Sequence, residues 1–251
     1  MLVRGSTYQF TIFGAFQEIA ATPTIINELM GLFKEFRGGK DILVPVSVPN
    51  YDPKSDSKNM SLPILGLSFT NQSGSLHIQF NGSRIDIKET SNSLMTKKTF
   101  ESELIDFNAD VTFILKQLLD KYDKKISRIA LILNLITKEV SDDKIDSIFK
   151  KIFTLNDDMM NNPRLEWNFR VNNRLTGKFQ GEVLNSFLSF SRGNLNPHST
   201  NRNTFLLQTE INTIPEKREE RFNQEHIFEF YKTACQTQQE HISSFVKHIE
   251  L

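Results

Sequence analysis

The chain has 251 residues, and its 30 basic and 30 acidic side chains give a formal net charge of zero at pH 7. This balance excludes a protein whose overall field attracts nucleic acid or an anionic membrane, so any electrostatic site must be local. The lone cysteine, Cys235, excludes an internal disulfide and a cysteine-based zinc site. The first residues lack the apolar run of a signal peptide, and no segment holds the roughly 18 apolar residues that span a bilayer. We therefore expect a cytoplasmic protein with no membrane partner.

Alternating apolar and polar residues predict a first strand at 8–16, with Gly14 at a bulge or at a close approach to another backbone segment. Thr22 and Pro23 then have the residue types of a helix cap and first helical position. An apolar face follows at helical spacing, and we expect this helix to end at Gly38.

Strands are next predicted at 42–48 and 62–69, on either side of a polar loop. Two alternating segments, 75–80 and 84–89, flank Asn81-Gly82-Ser83. Asn-Gly between such segments is a strong hairpin signal.

The middle of the chain predicts a helix, a strand and a second helix. Residues 99–122 carry apolar side chains on one helical face, and 127–137 is almost wholly apolar, as in a central strand covered on both sides. A helix at 141–153 begins at the capping candidate Ser141.

Three further strands are predicted at 164–172, 179–190 and 205–212, with a turn at 173–177 between the first two. A last helix is expected at about 222–250. Its apolar surface is wider than one contact face needs, which is typical of a core helix or of one that also packs on a neighbour.

Strands joined by hairpins and interspersed with helices indicate an α+β protein with mainly antiparallel sheets, packed helices and a long C-terminal helix. Two lobes, 1–97 and 98–251, are one reading of the order of elements, with a weak boundary at 89–98. One continuous sheet shared by both halves fits almost equally well.

The predicted three-strand region has a local charge bias. Residues 163–203 hold six basic side chains against two acidic ones, an excess of +4 in a neutral chain. Because strand side chains alternate, arginine and asparagine share the face opposite Trp167, where they could bind phosphate or carboxylate groups. Antiparallel sheets also often leave one face in water, which explains the same residues without a ligand. The candidate binding residues, including those of the adjoining loop, are Arg164, Arg170, Asn172, Arg174, Arg192, Asn194, His198, Asn201 and Arg202.

The loop at 191–203 is unusually polar and long for a connection between strands. Its composition suits a segment that gains order on binding and equally a flexible tip.

Metal and catalytic sites have weaker support. His226, His241 and His248 fall on one predicted helix, but two turns of rise, about 10.5 Å, separate even the nearest pair, so they cannot converge on one ion. Asp86 and Lys88 have the spacing of a magnesium-dependent nuclease, which also needs a second carboxylate nearby. No phosphate loop, dinucleotide fingerprint or catalytic triad motif occurs. We expect no metal and no cofactor.

These observations favour a non-catalytic protein that binds another macromolecule as a subunit or adaptor. The favoured partner is a protein. The richness in Phe, Asn, Lys and Ile is typical of AT-rich genomes, and an accessory subunit of a bacterial system, such as defence or toxin control, is one hypothesis. Nucleic-acid or nucleotide binding through 164–202 is the alternative, and a magnesium-dependent nuclease is a more distant one. Association with a second copy of the chain stays open.

Overall fold

The computed structural model describes residues 3–49, 65–91, 99–153, 167–192 and 203–250. Within these ranges nine strands form a single antiparallel sheet, in the order β2-β3-β4-β5-β1-β6-β9-β8-β7. The strands are β1 Val3–Phe13, β2 Val44–Pro49, β3 Leu65–Thr70, β4 Leu76–Asn81, β5 Arg84–Ser91, β6 Arg128–Thr137, β7 Trp167–Phe179, β8 Glu182–Arg192 and β9 Phe205–Thr213.

Four α-helices and a short 3₁₀ helix accompany the sheet in the described part of the chain. They are α1 Pro23–Leu32, the 3₁₀ helix Phe36–Gly39, α2 Phe100–Tyr122, α3 Asp142–Ile152 and α4 Gln224–Ile249. The α+β prediction with antiparallel pairing and a long C-terminal helix is confirmed. None of the described helices is both long enough and apolar enough to cross a membrane.

All four helices pack on the same face of the sheet. An aromatic contact joins each helix to the sheet. Between ring centroids, Phe107 of α2 lies 5.7 Å from Tyr8, and Tyr231 of α4 lies 5.2 Å from Phe10. Phe33, the residue after α1, lies 5.6 Å from Phe69, and Phe149 of α3 lies 5.9 Å from Trp167. The cross-strand registers place these four sheet residues on one face.

The opposite face, which we call the open face, carries mostly polar side chains, and no described helix packs on it. Strand β6 shows the contrast between the faces, since Leu131 is buried under α4 whereas the neighbouring Ile132 is half-buried on the open face. Strand β6 is central in the sheet, as predicted, but the expectation that it is covered on both sides is wrong for the described residues, whose helices lie on one face. In the register, Ile132 lies between Gln9 of β1 and Glu210 of β9.

A buried amide ties α4 to the centre of the sheet. Gln238 is fully buried, and its Nε2 donates to the carbonyl of Leu131 at 3.0 Å and to that of Thr209 at 3.3 Å. These carbonyls belong to β6 and β9, so one side chain bridges two adjacent strands. Hydrogen bonding relieves the penalty of burying its donor group.

The sequence signals at the start of the chain are largely confirmed. Thr22 caps α1 by accepting a hydrogen bond from the amide of Ile25, and Pro23 opens the helix. Strand β1 stops at Phe13 rather than at 16, and a Cβ on Gly14 would lie 3.2 Å from the carbonyl oxygen of Lys125, which confirms the close backbone approach.

The first helix ends earlier than predicted. Helix α1 stops at Leu32, and a 3₁₀ turn follows in which Arg37 takes a left-handed backbone with φ 49°. Arg37 holds this conformation through ion pairs with Asp110 of α2 at 2.5 Å and Glu89 of β5 at 2.9 Å. These ion pairs attach the turn to α2 and β5. The sequence had predicted that the first helix continues through this turn.

The Asn81-Gly82 hairpin is confirmed, since Asn81 pairs with Arg84 around the two-residue loop. The predicted turn at 173–177 is wrong, because β7 continues to Phe179 and the chain reverses at Gln180-Gly181. Both turn residues have positive φ, 43° and 68°, as in the type I′ turns that match strand twist. A register shift between Leu175 and Phe179 absorbs the turn-forming residues inside the strand.

The sheet is continuous across the middle of the chain, because β1 pairs with both β5 and β6. Most of the weak boundary at 89–98 lies outside the described residues, as do the polar loop after β2 and most of the 191–203 loop.

The two faces of β6 can be compared directly by truncating neighbouring residues. Leu131→Ala should lower the free energy of unfolding by about 2–5 kcal/mol, because it leaves a cavity under α4. Ile132→Ala should lower it by about 1 kcal/mol, because this side chain is half-buried. Urea denaturation of both variants measures the difference, and equal losses would show that the open face is covered.

Candidate functional site

The predicted binding residues of β7 lie at one end of the open face. Arg170, Asn172 and Arg174 are exposed on alternating positions of β7, opposite Ser189, Phe187 and Asn185 of β8 in the register. The structure therefore brings three of the predicted binding residues into one row on the edge of the sheet, which we call the basic row.

Next to the basic row, the open face has a polar depression of about 360 Å³. The Arg170 guanidinium lies 4.5 Å from the centre of the Phe187 ring at one side of it, in a cation–π contact. The remaining lining is amide and carboxylate groups from three strands, namely Asn172, Asn185, Gln208, Glu210 and Asn212.

Side-chain hydrogen bonds order the floor of this depression. Asn185 donates to Asn212 at 3.1 Å, and Asn212 donates in turn to Glu210 at 2.6 Å. Arg128 of β6 lies 3.9 Å from the Glu210 carboxylate on the far side. The network fixes which donors and acceptors face outward, a condition for selective hydrogen bonding.

Arg192, the other predicted residue that the structure describes, is not part of the basic row. Arg192 lies at the opposite end of β8, paired with Trp167 in the register and therefore on the helix side. It donates to Asn203 at 3.3 Å, and Asn203 donates to Asp142 at the start of α3. Through Asn203, Arg192 therefore links the end of the β7–β8 hairpin to α3. Arg164, Asn194, His198, Asn201 and Arg202 lie outside the described residues.

Strand β7 is one edge of the sheet, and among the described residues it pairs with β8 alone. It has 13 residues and no proline. Strand β2, the other edge, has six residues, two of which are Pro45 and Pro49. Proline removes a backbone donor and blunts an edge against pairing, so the sheet is protected at β2 by a device that β7 lacks.

Under the β7 edge, on the helix side, lies a groove of about 370 Å³ that we call the edge groove. Apolar side chains from the β7–β8 hairpin and α4 line it, with Phe169 stacked 5.9 Å from Phe245. The other apolar residues are Val171 and Leu188, and all four are half-buried. The β7 edge is therefore apolar on the helix side and basic on the open face.

His241 and His248 border the edge groove from α4. His241 is half-buried, its Nδ1 lies 3.1 Å from the Ser186 hydroxyl, and burial lowers the pKa of its imidazole. Its exposed counterpart His248 lies two turns further along the helix. His226 is elsewhere, since it closes the capping box of Asn223 at the start of α4.

The Asp86 carboxylate is engaged by neighbouring donors. It accepts hydrogen bonds from Thr11 at 2.7 Å and Gln9 at 3.2 Å, and it pairs with Arg84 at 2.9 Å. Asp52 and Asp56, the acidic residues that the nuclease hypothesis would bring to it, lie outside the described residues. Across the described ranges, no three His, Cys, Asp or Glu side chains cluster as metal ligands would.

A third pocket, which at about 590 Å³ is larger than the depression and the edge groove, lies between the 3₁₀ turn, β5 and α2. Its carboxylates bind groups of the protein itself. Glu103 accepts hydrogen bonds from Ser6, Tyr8 and Ser91, and Arg37 pairs with Asp110 and Glu89. Burial raises the pKa of Glu89 against the opposing effect of Arg37. The pocket therefore has a structural explanation in the attachment of the 3₁₀ turn.

Cys235 lies on α4 away from these surfaces. Burial raises the pKa of its thiol to about 12, with a smaller opposing effect from the Tyr231 hydroxyl. The thiol is therefore protonated at neutral pH, which does not suit a catalytic nucleophile.

Comparison with known proteins gives two faint structural likenesses. No protein-family model matches the sequence, and no curated protein matches it. A rolling circle replication initiator protein from Geobacillus stearothermophilus is 12% identical with a TM-score of 0.33, over 98% of this chain and 85% of that one. The di-domain ARO/CYC StfQ from the steffimycin biosynthetic pathway is 10% identical with a TM-score of 0.21, over 96% of each chain. Scores this low carry no argument about fold or function.

Sequence reasoning found the basic row but missed its surroundings. Phe187, Gln208 and Glu210 join it through the registers of β7, β8 and β9, which no local pattern gives. The edge groove needs Phe245 of α4 to meet Phe169 of β7, a contact between distant parts of the chain. The alternation of side chains along β8 and β9 was the sequence signal that could have placed Phe187, Gln208 and Glu210 on this face.

His241 gives the groove a pH-dependent contribution to stability. Its pKa is lower in the folded protein than the usual value of 6.5, so below that pH the unfolded chain takes up a proton that the folded state resists. The free energy of unfolding should therefore fall as the pH drops below 6.5, and His241→Asn should reduce this fall. Urea denaturation at pH 7.5 and 5.5 measures it, with His248→Asn as the exposed control. An unchanged acid dependence in His241→Asn would contradict the assignment.

Proposed function

We propose that this protein is a non-catalytic interaction subunit that binds a protein partner at the β7 end of its sheet. The observation that carries the proposal is the β7 edge itself. Over the described residues, it is long, free of proline and unpaired on its outer side, with the edge groove below it and the basic row above it.

Backbone chemistry supports this choice of surface. Every second residue of an edge strand directs its N–H and C=O groups away from the sheet, where a partner strand can satisfy them. The apolar groove adds burial, at about 25 cal/mol for each Å² removed from water. Main-chain pairing and side-chain burial together give an interface both affinity and register.

The contrast between the two sheet edges supports the same conclusion. Proteins commonly protect edge strands by shortness, proline or charge. Strand β2 combines shortness with two prolines, whereas the described protection of β7 consists of the charges of the basic row and, beyond Leu175, the register shift. The sheet thus has one short, proline-containing edge at β2 and one long edge at β7. The long edge is suited to specific pairing with a partner strand.

Affinity capture from native cells, with and without nuclease, tests the proposal. A stoichiometric protein that survives nuclease should be captured by the wild type and lost with Val171→Asp, because the new carboxylate charges the edge groove. Val46→Asp, at a valine of the opposite edge strand, is the matched control and should retain the partner. Circular dichroism confirms that both variants are folded. Equal capture by both would contradict binding at β7.

Nucleic-acid binding is a second candidate, favoured by the polar depression. Arg170 stacked on Phe187 resembles the platforms on which unpaired bases stack, and the ordered amides around it have the donors and acceptors that read base edges. The acidic Glu210 within the depression and the neutral net charge make this candidate weaker than the first.

Labelled single-stranded DNA and RNA, measured by fluorescence anisotropy, distinguish this candidate. If the depression binds bases, Phe187→Ala should weaken binding by about 1–3 kcal/mol, the usual contribution of one base–aromatic stack. Phe13→Ala, on β1 of the same face and also under an arginine, is the control. Binding that is absent at low salt, or equally weakened in both variants, would remove nucleic acid from consideration at this site.

A further inference from the structure

We propose that the β7 edge binds an extended, acidic segment of the partner, which adds to the sheet as a tenth strand with alternating acidic and apolar residues. This inference rests on the proposed function and names the chemistry of the partner. It follows from the different character of the two sides of β7.

The alternation of β7 fixes the alternation of the segment. Directly opposed residues in antiparallel strands place their side chains on the same face of the sheet. A strand added beside β7 would therefore set every second side chain near the basic row and the others over the edge groove. Residues opposite Arg170 and Arg174 face exposed cations, and those beside Val171 face apolar surface.

Charge complementarity selects acidic residues for the open-face positions. Arg170 and Arg174 are exposed. Arg174 forms an exposed ion pair with Glu216 at 3.0 Å. Such exposed pairs contribute little and are readily exchanged. Arginine binds carboxylates in a bidentate geometry, so acidic side chains opposite the row would fix the register of the segment.

The same charges disfavour a second copy of this chain as the occupant. Two copies joined edge to edge through β7 would bring two basic rows together, and pairing centred on Asn172 would place Arg170 directly opposite Arg174 of the other copy. Like charges directly opposite each other destabilise a sheet. An acidic segment has the opposite charge and meets no such penalty.

A charge-swap experiment tests the inference with designed peptides. The probe is a fluorescein-labelled nine-residue peptide that alternates valine with glutamate, and its counterpart carries lysine in place of glutamate. We expect the glutamate peptide to bind the wild type and to bind the double variant Arg170→Glu, Arg174→Glu at least about tenfold more weakly, since two attractions become repulsions. The lysine peptide should show the reverse preference.

Two controls separate strand addition from simple charge attraction. Lys88→Glu with Lys116→Glu makes the same change of net charge at exposed positions away from β7, and it should leave the affinity for the glutamate peptide within about twofold. A glutamate peptide methylated on alternate backbone nitrogens keeps its charge but loses its donors, and it should bind at least about tenfold more weakly. Equal binding of the methylated peptide would overturn strand addition.

The outcomes also separate this inference from the proposed function. If a partner is captured through Val171 but the glutamate peptide does not bind, the proposed function stands and the acidic strand is wrong. If light scattering shows a dimer that Val171→Asp dissociates, a second copy occupies the edge, and the acidic strand is again wrong. If Val171→Asp captures the same proteins as the wild type, the proposed function fails as well.

Discussion

The alternation of side chains, held in register across nine strands, is the constraint on which the rest of the structure depends. Phe10, Ile87, Ile78 and Phe69 lie opposite one another on four successive strands, and all are fully buried on the helix side. A slip of one residue between any two strands would exchange the faces of every strand beyond it. The apolar row therefore determines where the helices can pack, and it leaves the polar residues on the other side.

One-sided packing explains why the distinctive surfaces gather at β7. The helices bury the apolar face, and α4 reaches the β7–β8 hairpin with Phe245, where it forms one wall of the edge groove. The same alternation places Arg170 and Arg174 on the open face of β7. An apolar and a basic surface thus meet along a single unpaired backbone, although neither is large by itself.

The sequence was informative where local chemistry decides the structure. Thr22-Pro23 and Asn81-Gly82 were read correctly because a cap and a tight turn depend on a few adjacent residues. The reversal at Gln180-Gly181 was missed because asparagines and Gly177 gave a stronger local turn signal inside β7, which long-range pairing with β8 overrides. The depression and the edge groove depend on pairings between distant segments, so a single sequence could show their residues but not their assembly.

Partner binding at the β7 edge requires that the partner add to the backbone of this strand. Hydrogen–deuterium exchange, followed by mass spectrometry on the free protein and on its complex with the captured partner, measures this. Peptides covering Trp167–Phe179 should exchange more slowly in the complex, because outward-directed amides become hydrogen-bonded, and those covering Val44–Pro49 should not change. Unchanged exchange in β7, with slower exchange elsewhere, would contradict the account.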